Sequence, residues 1–186
     1  MNMLIRDVRD LDVRHAARDP MDGVTIRNEV RPGDGEAIIA LHAELYPVEY
    51  GMDERFVAGV RNAVETALAK GWPEGGGAWL VERNGLFSGS VGLTDEGDGL
   101  GRIRWVLMHP RVRGLGLGRR LVGEAVERAR ELGMRKLELD TFSDLRVAAR
   151  IYRDLGFRVR SEERTTKWGP EIVYQYYELD LEQPEG

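Results

Sequence analysis

Gly114, Gly116 and Gly118 alternate along one short stretch of the chain, and arginines stand on both sides of them, at Arg113 and Arg119. Glycine lets successive backbone N–H groups turn toward one point and lets a bulky anion approach them closely. A helix that begins at such a loop adds its unpaired N–H groups and the positive end of its dipole. The pattern therefore predicts a binding site for a phosphate-bearing ligand.

Two common phosphate-binding patterns fit this loop poorly. A P-loop requires lysine and then serine or threonine after its last glycine, and this chain has Arg119-Arg120 there. The dinucleotide fingerprint G-x-G-x-x-G requires its third glycine one residue later than Gly118. One observation favours it, because Asp140 follows about 20 residues on, where an acid that binds a ribose would stand. The upstream chain does not read as a βαβ unit, so a nucleotide enzyme is the lesser alternative.

A third pattern consists of Arg or Gln, two residues, Gly, one residue, and Gly or Ala. Arg113, Gly116 and Gly118 match it in order. After one predicted helix and one predicted strand, Tyr152 stands four residues before a Gly-Phe pair at 156–157. On these motifs together, the sequence resembles the GNAT superfamily of acetyl-coenzyme A-dependent N-acetyltransferases.

This resemblance extends from about residue 24 to 181, and it implies a fold, a co-substrate and a set of binding residues. The fold would be an α/β GNAT fold, with a mixed central sheet of about six to seven strands and helices on both faces. Acetyl-coenzyme A would be the co-substrate, and no metal is implied. Backbone groups of Leu107 and Met108 would bond the pantetheine amides. N–H groups of the loop would hold the pyrophosphate, at Arg113, Gly114, Leu115, Gly116, Leu117, Gly118 and Arg119.

The resemblance also implies direct transfer of the acetyl group to an amine, with Tyr152 as the general acid that protonates the departing thiolate. A phenol of pKa near 10 and a thiol near 8.5 are close enough for useful proton exchange. Without the resemblance, Tyr152 reads as a core aromatic, because it shares a helix face with Ala148 and Leu155. Glu49 is the candidate base or the ligand of the acceptor ammonium, and a solvated loop carboxylate is an equally good interpretation.

Within the superfamily, the sequence is most similar to the acetyltransferase half of bacterial proteins that fuse a MarR-type DNA-binding domain to a GNAT domain. The segments that carry this likeness are Leu45-Tyr46, Glu49-Tyr50-Gly51 and Asp53-Glu54-Arg55-Phe56. Family members often have Asn seven residues before the tyrosine, and this chain has Leu145 there. That departure leaves open a second function, a module that senses acetyl-coenzyme A without turning it over.

Hydrophobic periodicity predicts the elements that would position these residues. The expected order is strand, two helices, three strands, helix, strand, helix and two strands. The strands are expected at residues 24–30, 78–82, 86–93, 102–108, 136–140, 157–165 and 172–180. The helices are expected at 34–45, at 53–68, from the glycine loop to 133, and at 145–155. The pattern predicts an antiparallel first part and one parallel crossover.

Several local signals accompany these elements. Asp34 is the expected N-cap of the first helix, and residues 47–52 are expected to interrupt that helix. Asn84-Gly85 is a strong hairpin signal, and residues 95–101 are expected to form another turn. Arg104 and Trp105 alternate on the central strand, so only one of them is expected to face the substrate, with Trp105 in the core.

Composition narrows the class of protein. The 186 residues are 42% hydrophobic and 32% charged, as in a soluble globular domain, here expected at 23–186 after an N-terminal extension at 1–22. No stretch is apolar enough to cross a bilayer or to form a signal-peptide core, which predicts a cytoplasmic location. The absence of cysteine excludes disulfides, thiolate metal sites and a cysteine nucleophile.

The balance of charge bears on the partners. A net charge of -5 argues against a broad nucleic-acid surface. The acceptor is expected to be an amine, as a small molecule or peptide, with no membrane partner, and a homodimer is compatible with the sequence. Four acids suggest that the acceptor is a cationic amine, namely Glu44, Glu49, Asp53 and Glu54. A polyamine, an aminoglycoside, an amino-acid derivative and a protein lysine are equally open as acceptors.

Overall fold

The structure is a computed structural model that describes residues 19–181. Most of the expected extension at 1–22 therefore lies outside the described residues, as do residues 182–186. Residues 19–22 form a turn that leads into the first strand, and Val24 N donates to Met21 O at 2.9 Å.

Seven strands and four helices make up the described part of the chain. In chain order they are β1 (Val24–Arg27), α1 (Asp34–Tyr50), α2 (Glu54–Ala69), β2 (Gly77–Arg83), β3 (Leu86–Gly97), β4 (Leu100–Met108), α3 (Leu117–Glu131), β5 (Lys136–Phe142), α4 (Arg146–Asp154), β6 (Arg158–Thr165) and β7 (Ile172–Asp180). One turn of 3₁₀ helix at Pro110–Val112 precedes α3. No helix within residues 19–181 is long and apolar enough to span a membrane.

The strands form one mixed sheet in the order β1-β2-β3-β4-β5-β7-β6. All neighbours are antiparallel except β4 and β5, which are joined by the crossover through α3. This arrangement confirms the predicted α/β GNAT fold, with its antiparallel first part and single parallel crossover.

Helices cover both faces of the sheet. On one face α3 and α4 pack through fully buried residues such as Leu121, Val122 and Ala125. On the other face α1 and α2 pack through Ile38 and Val64, which are also fully buried. The apolar stripes of these helices, spaced three and four residues apart, therefore do bury against the sheet as expected.

The two central strands separate after a short contact. β4 and β5 pair only through Leu100–Arg102 and Lys136–Glu138, although each strand continues beyond these residues. The later part of β4 pairs with β3 alone, and the later part of β5 pairs with β7 alone. A gap therefore opens in the middle of the sheet, on the side of the loop that follows β4.

A bulge in β4 lies beside this gap. Gly92 pairs with Arg104 and Ser90 with Leu107, so two residues of β4 lie opposite one residue of β3. The bulge contains Trp105, whose φ is 51°, a value that non-glycine residues rarely adopt. Its ring packs on the α1–α2 face against Trp72, with ring centroids 4.9 Å apart.

The bulge overturns the expected alternation of Arg104 and Trp105. Both side chains line the same cavity, on the face where α1 and α2 pack, because the extra residue shifts the period of two by one position. Trp105 is also a core residue as expected, only 8% exposed. Gly92 makes room for it, since a Cβ there would lie 2.6 Å from the indole.

The first helix is longer than the sequence analysis predicted. It continues through Pro47 to Tyr50, whereas residues 47–52 were expected to interrupt it. Gly51, with φ of 68°, ends the helix and donates to Pro47 O at 3.0 Å. The N-cap is Gly33, so the prediction of Asp34 as the cap is wrong by one position. The Asp34 carboxylate instead accepts hydrogen bonds from Arg27 and from Arg31 N.

Two tight hairpins connect the antiparallel strands. Asn84 and Gly85 both have positive φ and confirm the first predicted hairpin. The second prediction, a turn over residues 95–101, is wrong in extent, because β3 and β4 continue into that region. Only Asp98 and Gly99 form the turn, with φ of 52° and 75°. Asp-Gly is itself a preferred pair for such turns.

Candidate active site

The glycine loop opens outward at the start of α3. Gly114 and Gly116 have φ of 77° and 75°, and a Cβ built on either of them would meet no atom within 4 Å. Gly116 is the N-cap of α3, whose first turn has no acidic residue and no side-chain cap. The first N–H groups of the helix are thus left without the usual partners. Open space, free donors and the absence of nearby acid in that turn all fit a bound phosphate.

Gly118 differs from the other two glycines. It lies in the first turn of α3, and a Cβ there would be 3.5 Å from the Cδ1 atom of Ile151 on α4. Gly118 therefore faces α4, where a Cβ would make an ordinary contact, while Gly114 and Gly116 shape the open side of the loop. Leu117, by contrast, is a core residue, only 2% exposed.

Arg113 turns away from the loop. Its Nε donates to Met108 O at 2.8 Å, and its guanidinium also holds both carboxylate oxygens of Glu49, at 2.8 and 3.0 Å. Arg119 pairs with Asp154 at 2.5 Å. Both arginines that flank the glycines are therefore engaged with carboxylates.

A cavity of about 310 Å³ occupies the gap between β4 and β5. Its wall comes from α1, α2, the two separated strands, α4, the β6–β7 turn and β7. The residues that line it are His42, Tyr46, Arg55, Phe56, Gly59, Val60, Ala63, Ile103, Arg104, Trp105, Val106, Leu139, Asp140, Thr141, Phe142, Leu145, Tyr152, Lys167, Trp168 and Tyr174.

Tyr152 lies at the wall of this cavity on α4. Its side chain is 4% exposed and packs against Phe157 and Tyr177, with ring centroids 6.1 and 5.8 Å away. Its hydroxyl forms no hydrogen bond with any residue in the described range. Burial raises the pKa of Tyr152 well above its usual value, so the phenol stays protonated at neutral pH.

Asp140 lines the cavity from β5 but is already engaged. Arg102 donates to one of its oxygens at 2.9 Å, and the Tyr174 hydroxyl donates to the other. It does not cap α4, whose N-cap is Leu145, without a side-chain hydrogen bond. The Leu145 side chain instead joins the apolar wall of the cavity.

His42 is a buried histidine that the sequence analysis did not single out. It lies on α1, 3% exposed, with Nδ1 at 2.8 Å from Ile38 O and its ring stacked on Tyr46 at 5.3 Å. A carbonyl can only accept, so Nδ1 carries the proton. Burial lowers the pKa of His42 to about 4, and the ring is therefore neutral.

Aromatic rings form one side of the cavity. Tyr46 and Phe56 stack with centroids 4.4 Å apart, and Trp168 meets Phe56 edge-on at 5.5 Å. Thr141 lies on the opposite wall, and its Oγ1 is buried without a hydrogen-bond partner among the described residues. An unpaired buried hydroxyl beside a cavity is a natural site for a polar atom of a ligand.

The structure does not bring the four acids of the sequence analysis to this cavity. Glu49 faces Arg113, Glu44 approaches His109 Nε2 at 3.3 Å, and Asp53 is the N-cap of α2, with its side chain accepting from Arg55 N at 3.0 Å. Cations line the cavity instead, at Arg55, Arg104 and Lys167. No group of three His, Asp or Glu residues within 19–181 is placed to hold a metal ion.

His109 has a structural role in the turn that follows β4. Its Nδ1 accepts from Arg111 N at 3.0 Å and caps the 3₁₀ turn. The residues that sequence reasoning missed are His42, Thr141, Lys167 and Trp168. None of them belongs to a motif, and only the pairing of distant strands brings them to the cavity.

Comparison with known proteins agrees with this geometry. YjgM of Escherichia coli K12, an uncharacterized N-acetyltransferase, is 32% identical over 114 residues, which cover 59% of this chain and 68% of YjgM. MnaT of the same organism, an L-amino acid N-acyltransferase, is 27% identical over 162 residues, 82% of this chain and 92% of its own.

A similar fold occurs in a solved structure. The acetyltransferase yncA of Salmonella typhimurium, solved with acetyl-CoA, superposes with a TM-score of 0.68 at 22% identity, over 89% of this chain and 98% of that one. The family model for the acetyltransferase (GNAT) family matches residues 36–157, a segment that includes β4, the glycine loop, α3, β5 and α4. Because that match covers most of the chain, the protein belongs to the GNAT acetyltransferase family.

Proposed function

We propose that the protein moves an acetyl group from acetyl-coenzyme A directly onto a primary amine of a small molecule or peptide, with Tyr152 as the general acid. The observation that carries the proposal is the Tyr152 hydroxyl, protonated and unpaired at the wall of a cavity between β4 and β5. A hydroxyl in that position can give its proton to a leaving group in the cavity.

The proposal also assigns the donor side. Acetyl-coenzyme A is the co-substrate of this acyltransferase family, and it supplies the activated acetyl group as a thioester. N–H groups from Arg113 to Arg119 would hold the pyrophosphate at the start of α3. Backbone groups of Leu107 and Met108 would bond the pantetheine arm, since this end of β4 has no strand partner on the side of β5.

Glu49 stays our candidate for the base or for the ligand of the acceptor ammonium. In the structure its carboxylate is neutralised by Arg113, which also occupies Met108 O. A phosphate at the loop would compete for the Arg113 guanidinium, because phosphate oxygens accept charge-assisted hydrogen bonds strongly. Withdrawal of Arg113 would release both the carboxylate and the carbonyl oxygen.

Two experiments test the proposal against the alternatives. Release of free thiol from acetyl-coenzyme A should occur with at least one member of a broad amine panel. If no amine supports release while the coenzyme still binds, the chain is a sensor. Thermal shift with acetyl-coenzyme A, NAD and ATP separates the third possibility, because a nucleotide enzyme using residues 114–118 would be stabilised by NAD or ATP alone.

The finer expectations remain predictions. The proposed likeness to proteins that fuse a MarR-type domain to a GNAT domain rests on segments of α1 and α2. Three residues of those segments line the cavity, namely Tyr46, Arg55 and Phe56. A shared acceptor would be the consequence of that likeness. The relative MnaT is by name an L-amino acid N-acyltransferase, and we therefore include amino acids among the candidate acceptors. We further propose a cytoplasmic location, a homodimer and a domain that extends over residues 23–186.

A further inference from the structure

The cavity has the opposite charge from the chain as a whole. The protein carries a net charge of -5, yet the cavity wall includes three cations and one carboxylate. The cations are Arg55, Arg104 and Lys167, and the carboxylate is Asp140. A cavity lined in this way disfavours a polycationic acceptor and favours an anionic group.

Most of these charges already have partners. Arg104 pairs with Glu96 at 3.0 Å, and Arg55 pairs with Asp53 at 2.5 Å. Asp140 is neutralised by Arg102. Lys167 has no carboxylate within ion-pair distance among the described residues, and its Nζ lies 4.8 Å above the Trp168 ring. It is therefore the cation of the cavity that is left to bind an anion.

The turn that carries Lys167 is fixed against the start of α2. Asp53 N donates to Trp168 O at 2.9 Å, and the Trp168 ring meets Phe56 edge-on. A Cβ on Gly169 would lie 3.4 Å from the Asp53 carboxylate. These contacts hold Lys167 and Arg55 at the same rim of the cavity, one from the β6–β7 turn and one from the first turn of α2.

Behind this rim the wall is aromatic. Tyr46, Phe56 and Trp168 present ring surfaces, and Phe142 meets Tyr46 edge-on at 6.0 Å. Such a wall suits a flat or apolar side chain. The unpaired Oγ1 of Thr141 offers a hydrogen bond to a polar group such as an amine.

We infer that the acceptor is an α-amino acid with an aromatic or other apolar side chain. Lys167, with Arg55 beside it, binds the carboxylate at the rim, and the aromatic wall receives the side chain. Thr141 contacts the amine that is acetylated. This inference rests on the proposed function, and it replaces the cationic acceptor that the acidic residues of α1 and α2 suggested.

The test compares each acceptor with its uncharged counterpart. We would measure kcat/KM for phenylalanine, tryptophan, leucine and methionine, each beside its carboxamide, with spermidine as the cationic reference. The free amino acid should be the better substrate within at least one pair, and spermidine should be the poorest acceptor. The advantage should appear mainly in KM, because the carboxylate does not take part in the chemistry.

A variant assigns that advantage to one residue. Lys167→Gln should lower kcat/KM for the preferred amino acid about fivefold, as expected for a partly exposed ion pair, and leave its carboxamide unaffected. Arg164→Gln is the matched control, because Arg164 is an exposed cation near the same turn, pairs with Glu171 and does not line the cavity. It should leave both substrates unchanged.

The outcomes separate the two proposals. If carboxamides or spermidine are acetylated as well as the free amino acids, or if Lys167→Gln affects both members of a pair equally, the inference is wrong while the acetyltransferase stands. If no amine in this panel or a broader one releases thiol, the proposed function fails and takes the inference with it.

Discussion

The glycine loop and the cavity between β4 and β5 are neighbours that are built in different ways. The loop spans residues 113–119 and would hold its ligand with backbone N–H groups on consecutive residues. The cavity has no such unit, because its wall draws side chains from α1, α2, β4, β5, α4, the β6–β7 turn and β7. One region is local and made of backbone, and the other is assembled from distant side chains.

The difference extends to charge. At the loop the flanking arginines are paired with carboxylates of α1 and α4, at Glu49 and Asp154. At the cavity the carboxylate is paired and a lysine is left free among the described residues. A family can therefore keep the donor site unchanged while the acceptor site varies, since changes in the β6–β7 turn or in α2 do not disturb the loop.

The largest effect is expected from Gly116→Val, which would impair binding of acetyl-coenzyme A and leave the cavity unchanged. A β-branched residue is strained at φ of 75°, and its side chain would fill the open space where a phosphate would bind. Affinity for acetyl-coenzyme A, measured by calorimetry, should fall on the order of a hundredfold or more. Gly118→Val should also abolish binding, but it would disturb the contact with Ile151 as well.

Gly123→Ala provides the control for this change. Gly123 lies in the middle of α3, and a Cβ there would make only an ordinary contact with Leu155 at 3.9 Å. The variant should fold and bind the coenzyme normally. Wild-type affinity in Gly116→Val would show that the pyrophosphate does not bind at this loop.

Tyr152→Phe tests the acid at the junction of the two regions. Because the hydroxyl has no partner within residues 19–181, its removal should leave stability and coenzyme affinity nearly unchanged. Loss of a general acid should lower kcat about a hundredfold. Tyr177→Phe, a buried tyrosine whose ring contacts Tyr152, is the control. An unchanged kcat in Tyr152→Phe would remove Tyr152 from the mechanism.

His42, which lines the cavity, makes the stability of the protein depend on pH. Its pKa falls from 6.5 to about 4 on folding, so the unfolded chain binds the proton more readily. The stability that neutral His42 contributes is therefore full above pH 6.5 and is lost as the pH falls toward 4. Between pH 7 and pH 5 this loss should be about 2 kcal/mol. Urea unfolding at the two pH values measures it.

His42→Asn isolates that contribution. The amide N–H can replace Nδ1–H as the donor to Ile38 O, but it does not titrate. The difference in unfolding free energy between pH 7 and pH 5 should shrink by most of those 2 kcal/mol. An unchanged difference would assign the acid sensitivity to other groups.

Glu49→Gln has two possible outcomes, and they separate the two roles open to Glu49. If Glu49 is the base, kcat falls on the order of a hundredfold while the KM for acetyl-coenzyme A is unchanged. If Glu49 only restrains Arg113, its removal frees the guanidinium, and the KM for acetyl-coenzyme A changes by about two- to fivefold with kcat unchanged. Gln keeps the shape of the side chain, so both outcomes are readable.

Sequence reasoning described the glycine loop in more detail than the cavity. The loop could be identified because Arg113, Gly116 and Gly118 are spaced along one segment, and their backbone geometry depends on local sequence. The order of strands and helices followed from hydrophobic periodicity, and the GNAT fold followed from the resemblance to that family. The residues that line the cavity could not be predicted from the sequence. Lys167 and Tyr46, for example, are more than a hundred residues apart and come to the same cavity only through tertiary packing.

Local errors had local causes. Pro47 was expected to end α1, but its fixed φ is compatible with a helix, and the tyrosines around it pack into an aromatic cluster that holds the last turn. The acids near Pro47 were taken as acceptor ligands because they are close in sequence. In the structure Glu49 lies in the last turn of α1, and its side chain pairs with Arg113. The direction of that side chain could not be predicted, because it depends on the helix continuing past Pro47.

The bulge at Trp105 limits how this family member can change in length. Insertions and deletions in strands are tolerated when they preserve the faces of the residues that follow. Deletion of one residue from the bulge would restore simple alternation and send Val106, Leu107 and Met108 to the opposite faces of the sheet. Leu107 would leave the α1 side, and Val106 would leave the α3 side. Deletion of a single residue from β4 would therefore destabilise the protein more than most substitutions in that strand.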